Sequence, residues 1–241
     1  MLSTFAEGRI FGETYGAAPA RVVALHGWAR THADFTSVLA GFDAIALDLP
    51  GFGATPEPTG EWGSPEYAAG VADVLRALPR PPVVVGHSLG GRIGVHLAAS
   101  YPELVSGLVL TGAPLIRVTP PARPKTSYRV ARWLNRRGVL SEDRMQAARE
   151  KHYAPDWRNA TPGMRPVFVR LVSETYDAQI TSIRCPTRLV WGDGDTAAPV
   201  AGAQELARRL GAPLRVVPGA GHLTPLTAVD ELRAAIEEMV A

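Results

Sequence analysis

The sequence predicts an α/β fold, a mostly parallel sheet with helices on both faces and one helical insertion. Three observations predict it. Short all-apolar runs alternate with segments of helical spacing, as expected for strands buried on both faces and joined by crossover helices. That alternation stops near residue 115 and resumes at residue 187, with arginine-rich helical segments between. One strand-to-helix junction reads Gly86-His87-Ser88-Leu89-Gly90-Gly91. Small residues two positions either side of a serine are what a sharp strand–turn–helix elbow requires, because the two backbones crowd together there.

The elements follow in order. Residues 21–25 form an apolar run ended by His26-Gly27, and residues 33–39 have helical spacing. Residues 44–47 form a second run, ended by Asp48 and the turn Pro50-Gly51-Phe52-Gly53. Residues 65–78 read as a helix, with Ser64 as its expected cap and Pro65 at its first position. Residues 82–85 and 104–110 read as strands flanking a helix over 89–100. Pro120, Pro121 and Pro124 mark a linker, and residues 127–137, 141–152 and 164–176 read as amphipathic helices. Strands over 187–191 and 213–217 then alternate with helices over 200–210 and 228–240. The sheet body is therefore expected in residues 1–114 and 185–241, and the insertion in residues 115–184.

Composition narrows the function. A chain of 241 residues, 46% apolar and 20% charged, suits one α/β domain with a sizeable core and excludes a disordered or nucleic-acid-binding tail. The single cysteine, Cys185, excludes an internal disulfide; before Pro186 it reads as a small buried hydrophobe. Residues 1–12 lack a basic patch followed by an apolar run, and no apolar stretch has the length of a membrane span, so a soluble cytoplasmic protein without a membrane partner is expected. The net charge of +2 conceals a polarity. Residues 117–184 carry 14 basic and 6 acidic side chains, a balance of +8, whereas the remainder carries 11 and 17, a balance of −6. Arg132, Arg136 and Arg137 fall on one helical face of this segment and are expected to meet an anionic group: a substrate carboxylate, a coenzyme-A-like phosphate or an acidic carrier protein. The acidic body argues against nucleic acid.

A serine hydroxyl is a poor nucleophile at neutral pH and needs a base oriented by an acid. Among six histidines, His222 lies in the loop Pro218-Gly219-Ala220-Gly221-His222 after the last strand. That is where the base belongs in the chain order Ser…Asp…His. The loop Gly192-Asp193-Gly194-Asp195 offers two acids. Asp193 follows the glycine directly and suits the turn; Asp195 lies further out and is the expected partner of His222, though spacing alone leaves both open. Acyl transfer also needs oxyanion donors, expected from the backbone N–H of Leu89 after the nucleophile and of Trp28 in the loop His26-Gly27-Trp28. No histidine pair has zinc-motif spacing and no glycine loop carries a phosphate-binding lysine, so neither metal nor cofactor is expected.

Leu25-His26-Gly27-Trp28, Asp48-Leu49-Pro50-Gly51-Phe52-Gly53, the serine elbow, Trp191-Gly192-Asp193-Gly194-Asp195 and Gly219-Ala220-Gly221-His222 occur in the order of the α/β-hydrolase superfamily. The chain resembles its small capped carboxylesterases, including pimeloyl-carrier-protein methyl ester esterases. The resemblance implies Ser88, Asp195 and His222 as a triad, Trp28 and Leu89 as oxyanion donors, and residues 115–184 as a helical cap over the site. It departs after the histidine, where Leu223-Thr224-Pro225-Leu226 replaces the aromatic residue and later glutamate of many relatives. The expected activity is hydrolysis of a small carboxylic ester or thioester through an acyl-enzyme. The alternatives are carbon–carbon bond hydrolysis of diketone ring-cleavage products and non-catalytic binding of a small ligand.

Overall fold

Eight strands make one sheet in the computed structural model, which describes residues 2–118, 126–152 and 155–240, with residues 151 and 152 described by backbone alone. They are β1 (Leu2–Phe5), β2 (Ile10–Tyr15), β3 (Val22–Leu25), β4 (Ala44–Asp48), β5 (Val83–His87), β6 (Gly107–Thr111), β7 (Thr187–Gly192) and β8 (Leu214–Val217). Their order is β1-β2-β4-β3-β5-β6-β7-β8. β2 runs antiparallel to β1 and β4, and every pairing from β4 to β8 is parallel.

Alternate residues of the central strands serve opposite faces, and both faces are buried. Val23 and Leu25, Ile45 and Leu47, Leu108 and Leu110, and Leu189 and Trp191 join one core. Val22 and Ala24, Ala44 and Ala46, Val83 and Val85, Val109 and Val190 join the other. The first face therefore carries the bulkier side chains. The helices in chain order are α1 (Thr36–Leu39), α2 (Ser64–Arg76), α3 (Leu89–Ser100), α4 (Thr126–Arg136), α5 (Glu142–His152), α6 (Pro155–Asn159), α7 (Met164–Ser173), α8 (Asp177–Ser182), α9 (Val200–Leu210), α10 (Thr224–Thr227) and α11 (Val229–Val240). The bulky face receives α2, α3, α8 and α9 through Tyr67, Val71, Ile93, Leu97, Ile180 and Leu206. The other receives α1 and α11 through Val38, Leu39, Leu232 and Ile236.

The chain leaves β3 for β4 on one side and reaches β5 on the other, so the strand order reverses around β3. A crevice opens at such a switch point, beyond the carboxyl ends of the flanking strands. The loop after β3 begins at His26 and the turn after β5 holds Ser88.

Three local expectations are corrected, and one element is added: the hairpin β1–β2, whose β1 lies at the sheet edge with no residue fully buried. Gly63, not Ser64, precedes α2, and the Glu66 carboxylate accepts from the Gly63 N–H at 2.8 Å; the Ser64 hydroxyl donates instead to Glu174 at 2.6 Å. β6 begins at Gly107 because Pro102–Leu104 forms a 3₁₀ turn. The helix expected over 164–176 ends at Ser173: Glu174 is extended and turns Tyr176 inward, so that Tyr176, Ile180 and Ile183 join the bulky-face core. The linker prolines 120, 121 and 124 lie outside the described residues.

Candidate active site

Ser88 stands between β5 and α3 with φ 51° and ψ −107°, a left-handed conformation that costs energy for a residue with a Cβ. Three bonds hold it there. Its N–H donates to the Thr111 carbonyl at 3.0 Å, Gly90 N–H donates to the His26 carbonyl at 3.0 Å, and Gly91 N–H donates to the Ser88 carbonyl at 3.1 Å. A Cβ on Gly86 would lie 2.5 Å from the Gly90 carbonyl oxygen, and one on Gly90 would overlap the Leu25 carbonyl. The elbow therefore closes only with glycine at both places.

The loop after β8 brings His222 to this serine. His222 Nδ1 lies 2.8 Å from Asp195 Oδ2, and Nε2 lies 3.2 Å from Ser88 Oγ. A carboxylate only accepts, so the proton sits on Nδ1, and Nε2 presents its lone pair to the serine hydroxyl. Asp195 is buried, and its other oxygen accepts from Ala197 N–H at 2.9 Å and Ala198 N–H at 2.8 Å. Asp193 is exposed and accepts from Gly219 N–H at 2.8 Å, bracing the histidine loop from outside. Two groups that sequence reasoning missed complete the support. His87 Nε2 donates to the His222 carbonyl at 2.8 Å, and Thr224, fully buried, shares a hydroxyl–hydroxyl bond of 2.5 Å with Thr111. Thr111 thereby ties the serine turn and the histidine loop to the end of one strand.

His26 fixes the loop after β3. Its Nδ1 donates to the Gly27 carbonyl at 2.7 Å and its Nε2 accepts from Leu49 N–H at 3.0 Å, which demands the neutral ring. Burial pushes His26 and His87 down to about 4 from the ordinary 6.5. The backbone N–H groups of Trp28 and Leu89 have no hydrogen-bond partner among the described residues, and both residues border the same cavity as Ser88 and His222. The Trp28 ring packs edge-on to Phe52 and to Phe168 of α7, at 5.0 and 5.1 Å between centroids.

The cavity holds about 460 Å³. Phe168, Leu171 and Val172 of α7 and Asp156 of α6 border it together with the serine. Arg132 and Arg136 stand exposed on α4 and are not among its described lining residues. The arginines that do line it are Arg30 and Arg92. Arg92 had a legible signal: it lies four residues after Ser88 on α3, one helical turn along the same side. Among the described residues no group of three or more His, Cys, Asp or Glu side chains could hold a metal ion, and no helix is long and apolar enough to cross a membrane. Cys185 is half-buried against the core, and burial raises its thiol.

The alpha/beta hydrolase family model matches residues 22–235. The chain is 32% identical over 254 residues to a pimeloyl-acyl-carrier-protein methyl ester esterase of Chromobacterium violaceum, covering 95% of this chain and 97% of that one. It is 28% identical over 248 residues to the corresponding esterase of Aromatoleum aromaticum, with 91% and 97% covered. Among solved structures, an esterase from Thermogutta terrifontis superposes with a TM-score of 0.73 at 22% identity, over 99% of this chain and 97% of that one, a likeness of fold.

Proposed function

The chain belongs to the alpha/beta hydrolase family, and from that premise we propose that it is a serine hydrolase cleaving a small carboxylic ester or thioester through an acyl-enzyme. One observation carries the reading: the continuous chain from Ser88 Oγ through His222 to buried Asp195, at 3.2 and 2.8 Å. In the first half-reaction Ser88 Oγ bonds to the ester carbonyl carbon while its proton passes to His222 Nε2. The N–H groups of Trp28 and Leu89 receive the oxyanion, and Asp195 stabilises the imidazolium. Collapse expels the alcohol or thiol, which takes the proton from Nε2. Water then repeats the sequence with His222 as base, releasing the acid and restoring Ser88.

Residues 115–184 act in this reading as a cap, supported by α6 and α7 bordering the cavity that holds Ser88. An ester borne on an acidic carrier protein fits the balance of +8 over residues 117–184, with Arg132 and Arg136 among the exposed cations that would meet it. The carrier named for the two full-length relatives supports the same class of partner. The test is turnover of p-nitrophenyl esters, methyl esters and acyl thioesters by the wild type and by Ser88→Ala. A loss on the order of 10³-fold or more is expected on the best substrate, since such groups act as a unit. Near-normal turnover by Ser88→Ala removes the serine from the nucleophile's place.

A further inference from the structure

A second, smaller chamber of about 180 Å³ adjoins the cavity that holds Ser88. The two share Arg92, Pro114, Val172 and Ala197 in their walls, so the smaller chamber lies directly beside the space in front of Ser88. Its floor is apolar, formed by Ala113, Trp191 and Ala203. Its charged walls are Arg92, Arg117 and Glu174.

The two arginines are committed to carbonyls rather than carboxylates. Arg92 donates to the Leu171 carbonyl and lies 5.9 Å from the centroid of the Tyr176 ring. Arg117 donates to the carbonyls of Val172 and Glu174 at 2.6 and 3.2 Å. Neither forms a salt bridge among the described residues, unlike Arg30, Arg170, Arg188 and Arg209. The one acid in the wall is spent elsewhere. Glu174 Oε1 accepts from Ser64 N–H at 2.9 Å, and Oε2 accepts from the hydroxyls of Ser64 at 2.6 Å and Tyr176 at 2.7 Å. A guanidinium carries five donors, and one or two carbonyls leave several unused. Two such groups around a small, apolar-floored space supply the paired, charge-assisted donors that a carboxylate takes.

The geometry points to this chamber as the subsite for a carboxylate at the far end of the substrate, with Arg92 and Arg117 as specificity-determining residues. The inference rests on the ester-hydrolase reading for its substrate class. It commits the protein to esters with a free carboxylate a few bonds from the scissile carbonyl. That charge is carried on the acyl part, as in a dicarboxylic monoester, or on the alcohol part, as in an acylated hydroxy acid.

The experiment compares monomethyl with dimethyl adipate, which differ only in the distal charge, and adds O-acetylated 4-hydroxybutyrate against its methyl ester for charge on the alcohol side. The wild type is expected to favour one charged partner in kcat/KM, and the favoured pair identifies the part that enters the chamber. In Arg117→Met and Arg92→Met that selectivity ratio falls at least about tenfold, mainly through KM. Arg117 is exposed, so its variant reports even where Arg92→Met fails to fold. Adipate, which has no ester to cleave, is titrated calorimetrically against the same proteins. Arginine-dependent binding of adipate without any ester turnover upholds the subsite and sinks the hydrolase reading. Ester turnover with equal ratios in wild type and variants, or with no preference for charge, overturns the subsite and leaves the hydrolase reading standing.

Discussion

At the residue scale the site depends on which atoms each side chain leaves free. Asp195 spends one oxygen on two backbone N–H groups and the other on His222, whereas Asp193 spends its bond on Gly219. Asp195→Asn should therefore lower turnover by orders of magnitude, because an amide in that place favours the wrong tautomer of His222, while Asp193→Asn costs far less. The reverse ranking in steady-state kinetics would hand the orienting role to Asp193. His26 and His87 set a second prediction. Both are held neutral near 4 by burial against 6.5 ordinarily, so between those values the unfolded chain binds more protons than the folded one. Stability is full above about pH 6.5 and declines as the pH falls to about 4, each histidine contributing on the order of 3 kcal/mol to the loss. Urea unfolding of wild type and His87→Gln at pH 7 and pH 4.5 checks this. The variant should lose less stability between the two, and equal losses would mean that His87 is not held neutral by the fold.

At the element scale the strand-to-helix turns do the positioning, and these were the most legible parts of the chain. Gly86 and Gly90 announce the elbow because only hydrogen fits against the Gly90 and Leu25 carbonyls. Gly90→Ala should destabilise the protein by about 1–3 kcal/mol or more through forced backbone movement, read as a lowered urea midpoint with turnover falling further than stability. An unchanged midpoint would show that β3 and α3 do not meet as closely as described. The central strands were legible for the same kind of reason: burial on both faces leaves unbroken apolar runs. What escaped the sequence depended on partners distant along the chain. Ser64 looks like a cap, but its hydroxyl is claimed by Glu174, 110 residues away. The helix expected through residue 176 stops at Ser173, because Glu174 turns to reach that serine and Tyr176 enters the core. The departure at Leu223-Thr224 also becomes intelligible, since buried Thr224 anchors the histidine loop to Thr111. No local pattern marks a hydroxyl pair joined across 113 residues.

At the scale of the whole molecule, charge is segregated: +8 over residues 117–184 against −6 elsewhere. Such a field acts on association more than on the bound complex, and it weakens as the Debye length shrinks to about 10 Å at 0.1 M salt. An ester carried on an acidic protein should lose kcat/KM with added salt more steeply than the same acyl group on a small alcohol. Arg132→Glu/Arg136→Glu should flatten that difference. Parallel salt responses in wild type and variant would reduce these arginines to a solvated helix face. Sequence reasoning set Arg132 and Arg136 of α4 against an anionic partner; both are exposed, and neither is among the described residues lining the cavity. Arg92 lines the cavity instead, because the side of α3 that leaves the elbow continues along it.

Every step of the proposed reaction starts from the strained serine beyond β5 acting as the nucleophile. The most direct measurement is reaction with a fluorophosphonate, in which the serine oxygen bonds to phosphorus and fluoride leaves, followed by peptide mass spectrometry to locate the adduct. Rapid, stoichiometric labelling on Ser88 alone is expected, abolished in Ser88→Ala and slowed in Asp195→Asn. A folded wild-type protein that resists the reagent, or carries the adduct on another residue, would contradict it.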